Sequence, residues 1–273
     1  MLTRILEDFS RETWETMWLT HSAARTSREE YFTERLFVSL ISRARHLTHF
    51  IPFPPHKEAI NGADWEWWIS DGRHWLGLLV QAKALDLKHQ RYSKLDYKPR
   101  KANRSQLSLL IEDATTRGLT PIVACYNYSP TSSFAWNCVS IPRDDPLFGC
   151  SIIDAVVARE LITTGKGKVR KGFASVAALS FPLRCLTACK GFSGGGSVAQ
   201  RAGGVIEGLR SKGAERGYET SPPVTLLDTP PAYVRKLMDT PMDAQAAVTA
   251  DLVHSLRLRR GIVVTVEPDD HTE

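Results

Sequence analysis

The stretch "DWEWWISDGRHWLGLLVQAK", residues 64–83, constrains the fold more than any other segment. Its first part is short, aromatic and β-prone, and "SDGR" is a turn signal. Its second part is an apolar run that ends on Gln81 and Lys83. Together they predict a β-hairpin with strands over residues 65–69 and 75–83. Alternate residues of a strand share a face. Asp64 and Glu66 therefore point one way, and Trp65 and Trp67 the other. Gln81 and Lys83 share a face, opposite Val80 and Ala82. A hairpin sets the start of one strand beside the end of the other, so Asp64, Glu66, Gln81 and Lys83 are expected to converge at one end. Trp65 and Trp67 are expected to fill the core rather than stack on bases.

Such a cluster has a chemical use. Carboxylate and amide oxygens suit a hard cation such as Mg²⁺. A neighbouring lysine stabilises charge developing on a phosphate oxygen. The plain alternative is an ion pair lying in solvent, and the residues alone leave both readings open.

The rest of the chain supplies context. A helix is expected over residues 1–24, with Ile5, Leu6, Phe9, Thr13 and Met17 as an imperfect apolar stripe. A second is expected from Ser27, where "SREE" reads as a capping box with Glu30 at its third position. Pro52, Pro54 and Pro55 stop it. "SQLSLLIEDATTR" (105–117) reads as a helix closed by Gly118, and "TPIVACYNYS" as a buried strand. Residues 134–141 are a candidate strand and 151–163 a helix. "FPLRCLTACKG" fits either state. "PPAYVRKLM" and "DAQAAVTADLVHSLRL" read as helices, and "GIVVTVE" as a final strand. The sum is an α/β fold with a mixed sheet flanked by helices. Residues 1–192 are expected to form the core. Residues 193–223, rich in glycine and charge, read as a flexible excursion, and 224–273 as helices and a strand packed back on the core.

The chain carries no apolar run of membrane-spanning length and no export signal at its start, so a cytoplasmic location is expected. Its five cysteines, Cys125, Cys138, Cys150, Cys185 and Cys189, are then expected as reduced, buried thiols. Cys185 and Cys189 form a CxxxC pair with no second pair nearby, which disfavours zinc. Net charge is +5, a weak pull towards anionic partners. The distribution says more: Lys83, Lys88, Arg91, Lys94, Lys98, Arg100, Lys101 and Arg104 are opposed only by Asp86 and Asp96. This run, directly after the hairpin, reads as a phosphate-contacting surface or as a solvated loop.

The pattern "GADWEWWI … LGLLVQAKAL" resembles the core of the PD-(D/E)XK, or restriction-endonuclease-like, nuclease superfamily. It is closest to the D…QxK variant of Mrr-type enzymes. The longer arrangement "TERL … GADWEWW … VQAK … QLSLLIEDA … PIVACYNY" also resembles a bacterial domain family of unknown function placed in that superfamily. The resemblance spans about residues 27–130. It implies Asp64, Gln81 and Lys83 as catalytic residues, with Glu34 of the preceding helix as a further acid and Glu30 its rival. Asp64, Glu66, Glu34 and Gln81 would hold Mg²⁺ or Mn²⁺. Gln81 is neutral where many members carry a carboxylate, and Glu66 on the face of Asp64 would compensate. Gln106 would sit near the site, and Lys88, Arg91, Lys94 and Arg104 would contact phosphates. The implied function is hydrolysis of phosphodiester bonds in DNA, rather than RNA, in restriction or phage defence. A homodimer or a partner subunit is consistent with it. The alternative is a catalytically degenerate module of the same fold that binds nucleic acid or protein.

Overall fold

A computed structural model describes residues 1–23, 28–52, 62–98, 103–131, 133–164, 171–189, 196–240 and 261–267, with Leu252 and Leu256. The helices are α1 (Leu2–Ser22), α2 (Glu29–Arg43), α3 (Gln106–Arg117), α4 (Ala155–Thr164), α5 (Phe173–Ala177), α6 (Cys185–Ala188), α7 (Val198–Glu215) and α8 (Ala232–Asp239). The strands are β1 (Thr48–Pro52), β2 (Trp65–Ser70), β3 (Trp75–Ala84), β4 (Thr120–Tyr126), β5 (Cys150–Asp154), β6 (Phe181–Pro182) and β7 (Gly261–Val266). They form one mixed sheet in the order β1-β7-β2-β3-β4-β5-β6. No described helix is long and apolar enough to cross a membrane.

The predicted hairpin is the centre of this sheet. β2 and β3 pair antiparallel, Trp65 opposite Val80 and Ser70 opposite Trp75. Their turn is fixed by Asp71, whose Oδ1 accepts from the N–H groups of Arg73 (2.7 Å) and His74 (2.6 Å). β4 runs parallel to β3 on one side, and β7 parallel to β2 on the other. Both faces of a sheet interior to such a fold are covered, and all six residues of β2 are buried. α1 and α2 pack on the face of Trp65 and Tyr126, through Phe9, Phe32 and Phe37. α3 crosses the opposite face and meets α4.

α3 follows from its local sequence. Ser105 caps it by accepting from the Ser108 N–H, and Gly118 takes the left-handed conformation, φ 66°, that ends it. Gly62 also has φ 76°, and a Cβ there would lie 2.0 Å from the Gln106 carbonyl oxygen. Only glycine lets the turn before β2 approach α3 so closely, and that approach sets where Asp64 stands.

Several expectations are corrected. The supposed excursion contains α7, an 18-residue helix with a complete capping box at Ser197 and Gln200. Its glycines sit on a helix that buries Val198, Ala202, Val205, Ile206 and Leu209 against the sheet. Packing of that apolar stripe outweighs their poor propensity. Residues 150–154 are strand β5, and the helix begins only at Ala155, where Asp154 accepts from the Val156 and Val157 N–H groups. Residues 134–141 form no strand; side-chain bonds such as Asn137 to the Ala177 and Ser180 carbonyls hold them. "FPLRCLTACKG" splits into β6 and α6. β1 has no counterpart in the expected elements, and the final strand, β7, enters between β1 and β2. The N-cap of α2 is Arg28; Ser27, Pro54, Pro55 and most of "DAQAAVTADLVHSLRL" lie outside the described residues.

Candidate functional site

Asp64 precedes β2 and is 5 % exposed. Its backbone N–H donates to the Val80 carbonyl (2.8 Å), and its Oδ2 accepts from the Ala82 N–H (2.8 Å). The carboxylate is thus held at the end of β3 where Gln81 and Lys83 emerge. Gln81 is fully buried and Lys83 is 3 % exposed.

Lys83 fixes the hydrogen-bond directions of the cluster. Its ammonium is donor-only, and it lies 3.2 Å from Gln106 Oε1. The same oxygen accepts from Gln81 Nε2 (3.4 Å), which also donates to the Gly62 carbonyl (2.6 Å). With Nε2 so committed, Gln81 Oε1 is a buried acceptor without a hydrogen-bond partner among the described residues. An unsatisfied buried carbonyl of this kind costs about 1–3 kcal/mol, and it is a suitable ligand for a hard cation.

The acid that joins this group from α2 is Glu29. Burial raises its pKa above the ordinary carboxylate range, the Lys83 ammonium opposes that shift, and the Asp64 carboxylate adds to it. Glu29 therefore sits in the field of both residues. The sequence reading singled out Glu34 and Glu30 instead. Glu34 is exposed and lies five residues along α2, about 140° around the helix from Glu29. The available signal was the doublet in "SREE", whose first acid begins the helix.

Glu66 does not gather with Asp64. It is fully buried and bonded to Arg117, to the Tyr233 hydroxyl, and to Trp68 Nε1 at 2.5 Å. Arg117 ends α3 and Tyr233 belongs to α8, so Glu66 ties both helices to the sheet. Its carboxylate is occupied, and it cannot supply the charge that Gln81 lacks. Glu29 is the α2 acid in the field of Asp64 and Lys83.

The basic run divides by position. Lys94 is exposed and its charge reaches Glu29. Lys88, six positions earlier, is also exposed. Arg91 is half-buried, and its backbone bridges Asp86 and Gly172. Arg104 is exposed and ion-paired with Glu112. Lys171 pairs with Asp96, and Asp86 with His89 at 2.8 Å. Arg100 and Lys101 lie outside the described residues. Beneath the site, Cys125 lies opposite Lys83 in the β3–β4 register, and burial pushes its thiol up to about 12.

These features define a class: an α/β protein with a mixed seven-stranded sheet that gathers a carboxylate, two amides and a lysine at one strand end, with Glu29 of α2 in their field. The chain belongs to the family of unknown function DUF6615, whose profile matches residues 2–271. No curated protein and no solved structure matches it significantly.

Proposed function

We propose that the protein is a metal-dependent nuclease of the PD-(D/E)XK type, hydrolysing phosphodiester bonds in DNA. The observation that carries this reading is the orphaned Gln81 Oε1 in a buried cluster with Asp64 and Lys83, in whose field half-buried Glu29 lies. The donor set fits a hard divalent cation: two carboxylates and an amide oxygen, with no soft ligand among them. Asp64, Glu29 and Gln81 would hold Mg²⁺, which when bound acts as a Lewis acid and lowers the pKa of its water.

The remaining chemistry belongs to the chain. Lys83 places a positive charge where a non-bridging phosphate oxygen gains negative charge as water attacks phosphorus and the sugar oxygen departs with a proton. Gln106 orients the ammonium by accepting from it. Lys88 and Lys94 lie in the loop that follows β3, suited to backbone phosphates. Arg104 is a weaker candidate, since Glu112 already neutralises it. A role in restriction or phage defence belongs to the same proposal and rests on resemblance alone.

The test is cleavage of supercoiled plasmid with Mg²⁺ or Mn²⁺, beside chelator and Lys83→Met controls. Nicking that needs the metal and Lys83 supports the reading. DNA retardation without cleavage under any of these metals transfers it to a degenerate binding module.

A further inference from the structure

The fold unites three cysteines that the sequence scatters. Cys185 opens α6 and Cys189 caps it, four residues apart and so on one side of the turn. Cys138 comes from the irregular segment 47 positions earlier than Cys185. The three Sγ atoms lie within 4.8 Å of one another, and Cys138 and Cys189 approach to 3.5 Å. All three residues are buried, at 5 %, 0 % and 0 % exposure.

We infer that Cys138, Cys185 and Cys189 form a thiolate site for one zinc ion, separate from the cluster around Asp64. This inference is independent of the nuclease reading. Tetrahedral coordination with Zn–S bonds of about 2.3 Å places sulfurs roughly 3.8 Å apart, and the observed cluster has that size. A disulfide needs about 2.05 Å, so the thiols are gathered without being joined. Iron–sulfur clusters take four protein ligands, and three thiols suit a single ion with a fourth position for water or the nearby Ser140 hydroxyl.

A cation faces the Cys138 sulfur. The Arg184 guanidinium lies 3.6 Å from the same sulfur. Three thiolates on a dication leave one net negative charge, which Arg184 faces at close range. Arg184 is itself held by Glu7 of α1 at 2.6 Å. Cys125 and Cys150 lie apart from this cluster, and burial pushes their thiols up. They are the inert thiols that the sequence reading expected of all five.

The site has a structural use. α6 has four residues, too short to be stable by itself. The segment around Cys138 has no backbone ladder. A bound ion would join both to each other, next to the Arg184–Glu7 link to α1 and the Thr187–Thr3 contact (3.0 Å). Such sites contribute folding energy directly.

The test uses the full chain, purified without chelator and freed of any metal-binding tag. Metal analysis is expected to find about one zinc per chain, retained in Cys150→Ser and lost in Cys138→Ser and Cys189→Ser. Because those variants can fail to fold, wild-type protein stripped of metal is also titrated with Co²⁺. A sulfur-to-cobalt charge-transfer band that saturates at about one equivalent, and that zinc abolishes, supports the site. Absence of that band overturns it. So does a native Cys138–Cys189 disulfide, seen as a two-hydrogen mass loss, or copper in place of zinc.

Discussion

Removing Arg117 should damage the protein far more than removing Arg117 and Glu66 together. Glu66 is wholly buried and Arg117 is 16 % exposed at its side chain. Arg117→Met leaves a buried carboxylate with only Tyr233 and Trp68 as donors, a loss of about 3–5 kcal/mol. Glu66→Leu leaves a guanidinium that keeps Tyr233 (3.1 Å), Asp113 (3.5 Å) and some solvent, so a smaller loss of about 2–3 kcal/mol is expected. The double variant removes both charges and strands the Tyr233 hydroxyl and the Trp68 Nε1–H, for about 2–3 kcal/mol in total. The coupling is therefore about 4 kcal/mol, well above the roughly 0.5 kcal/mol expected of independent sites. Urea unfolding of the four proteins measures it, provided the slope with denaturant is unchanged. Additive losses would refute the claim that Glu66 serves Arg117. Retained metal affinity in Glu66→Gln is the companion result, and its loss would return Glu66 to the metal site.

Other outcomes follow from the same geometry. Leu209→Ala on α7 should cost about 2–4 kcal/mol, whereas a loss under about 0.5 kcal/mol would restore the flexible reading of that segment. Gly62→Ala should impair folding and cleavage together, because its Cβ meets the Gln106 carbonyl; a fully active, fully stable variant would contradict the placement of Asp64. Burial raises the Asp71 pKa, but bonds from Ser197, His74 and Arg73 outweigh it and bring it to about 2 from 3.8. A lowered carboxylate contributes stability above its unfolded value and loses it as pH falls through the folded one. Asp71→Asn should thus cost about 2 kcal/mol at neutral pH, and the gap to wild type should close as pH falls from 3.8 to about 2. A pH-independent gap would rule out that linkage.

The hairpin and its polar end were legible because period two is written directly into "DWEWW" and "LVQAK". α3 was legible through its caps at Ser105 and Gly118. What was not legible depends on partners remote in sequence. Glu66 looks like Asp64 on a strand pattern, and only Arg117 and Tyr233 tell them apart. Glu29 and Glu34 share one helix, and the start and rotation of α2 decide between them. α7 was hidden by its glycines, because burial of its apolar stripe is a tertiary effect. The cysteine cluster needs a contact between Cys138 and Cys189 across 51 positions, which no local spacing announces.

In the proposed nuclease, Asp64, Glu29 and Gln81 share one hard cation beside Lys83. Isothermal titration of Mn²⁺ into wild type, Asp64→Asn and Glu29→Gln proteins, with plasmid nicking measured on the same samples, tests this most directly. The expected result is one Mn²⁺ site whose affinity falls at least tenfold in either variant, by about 1.4 kcal/mol or more, with nicking lost in parallel. Unchanged Mn²⁺ binding in both variants, or nicking that persists without Asp64, would contradict it.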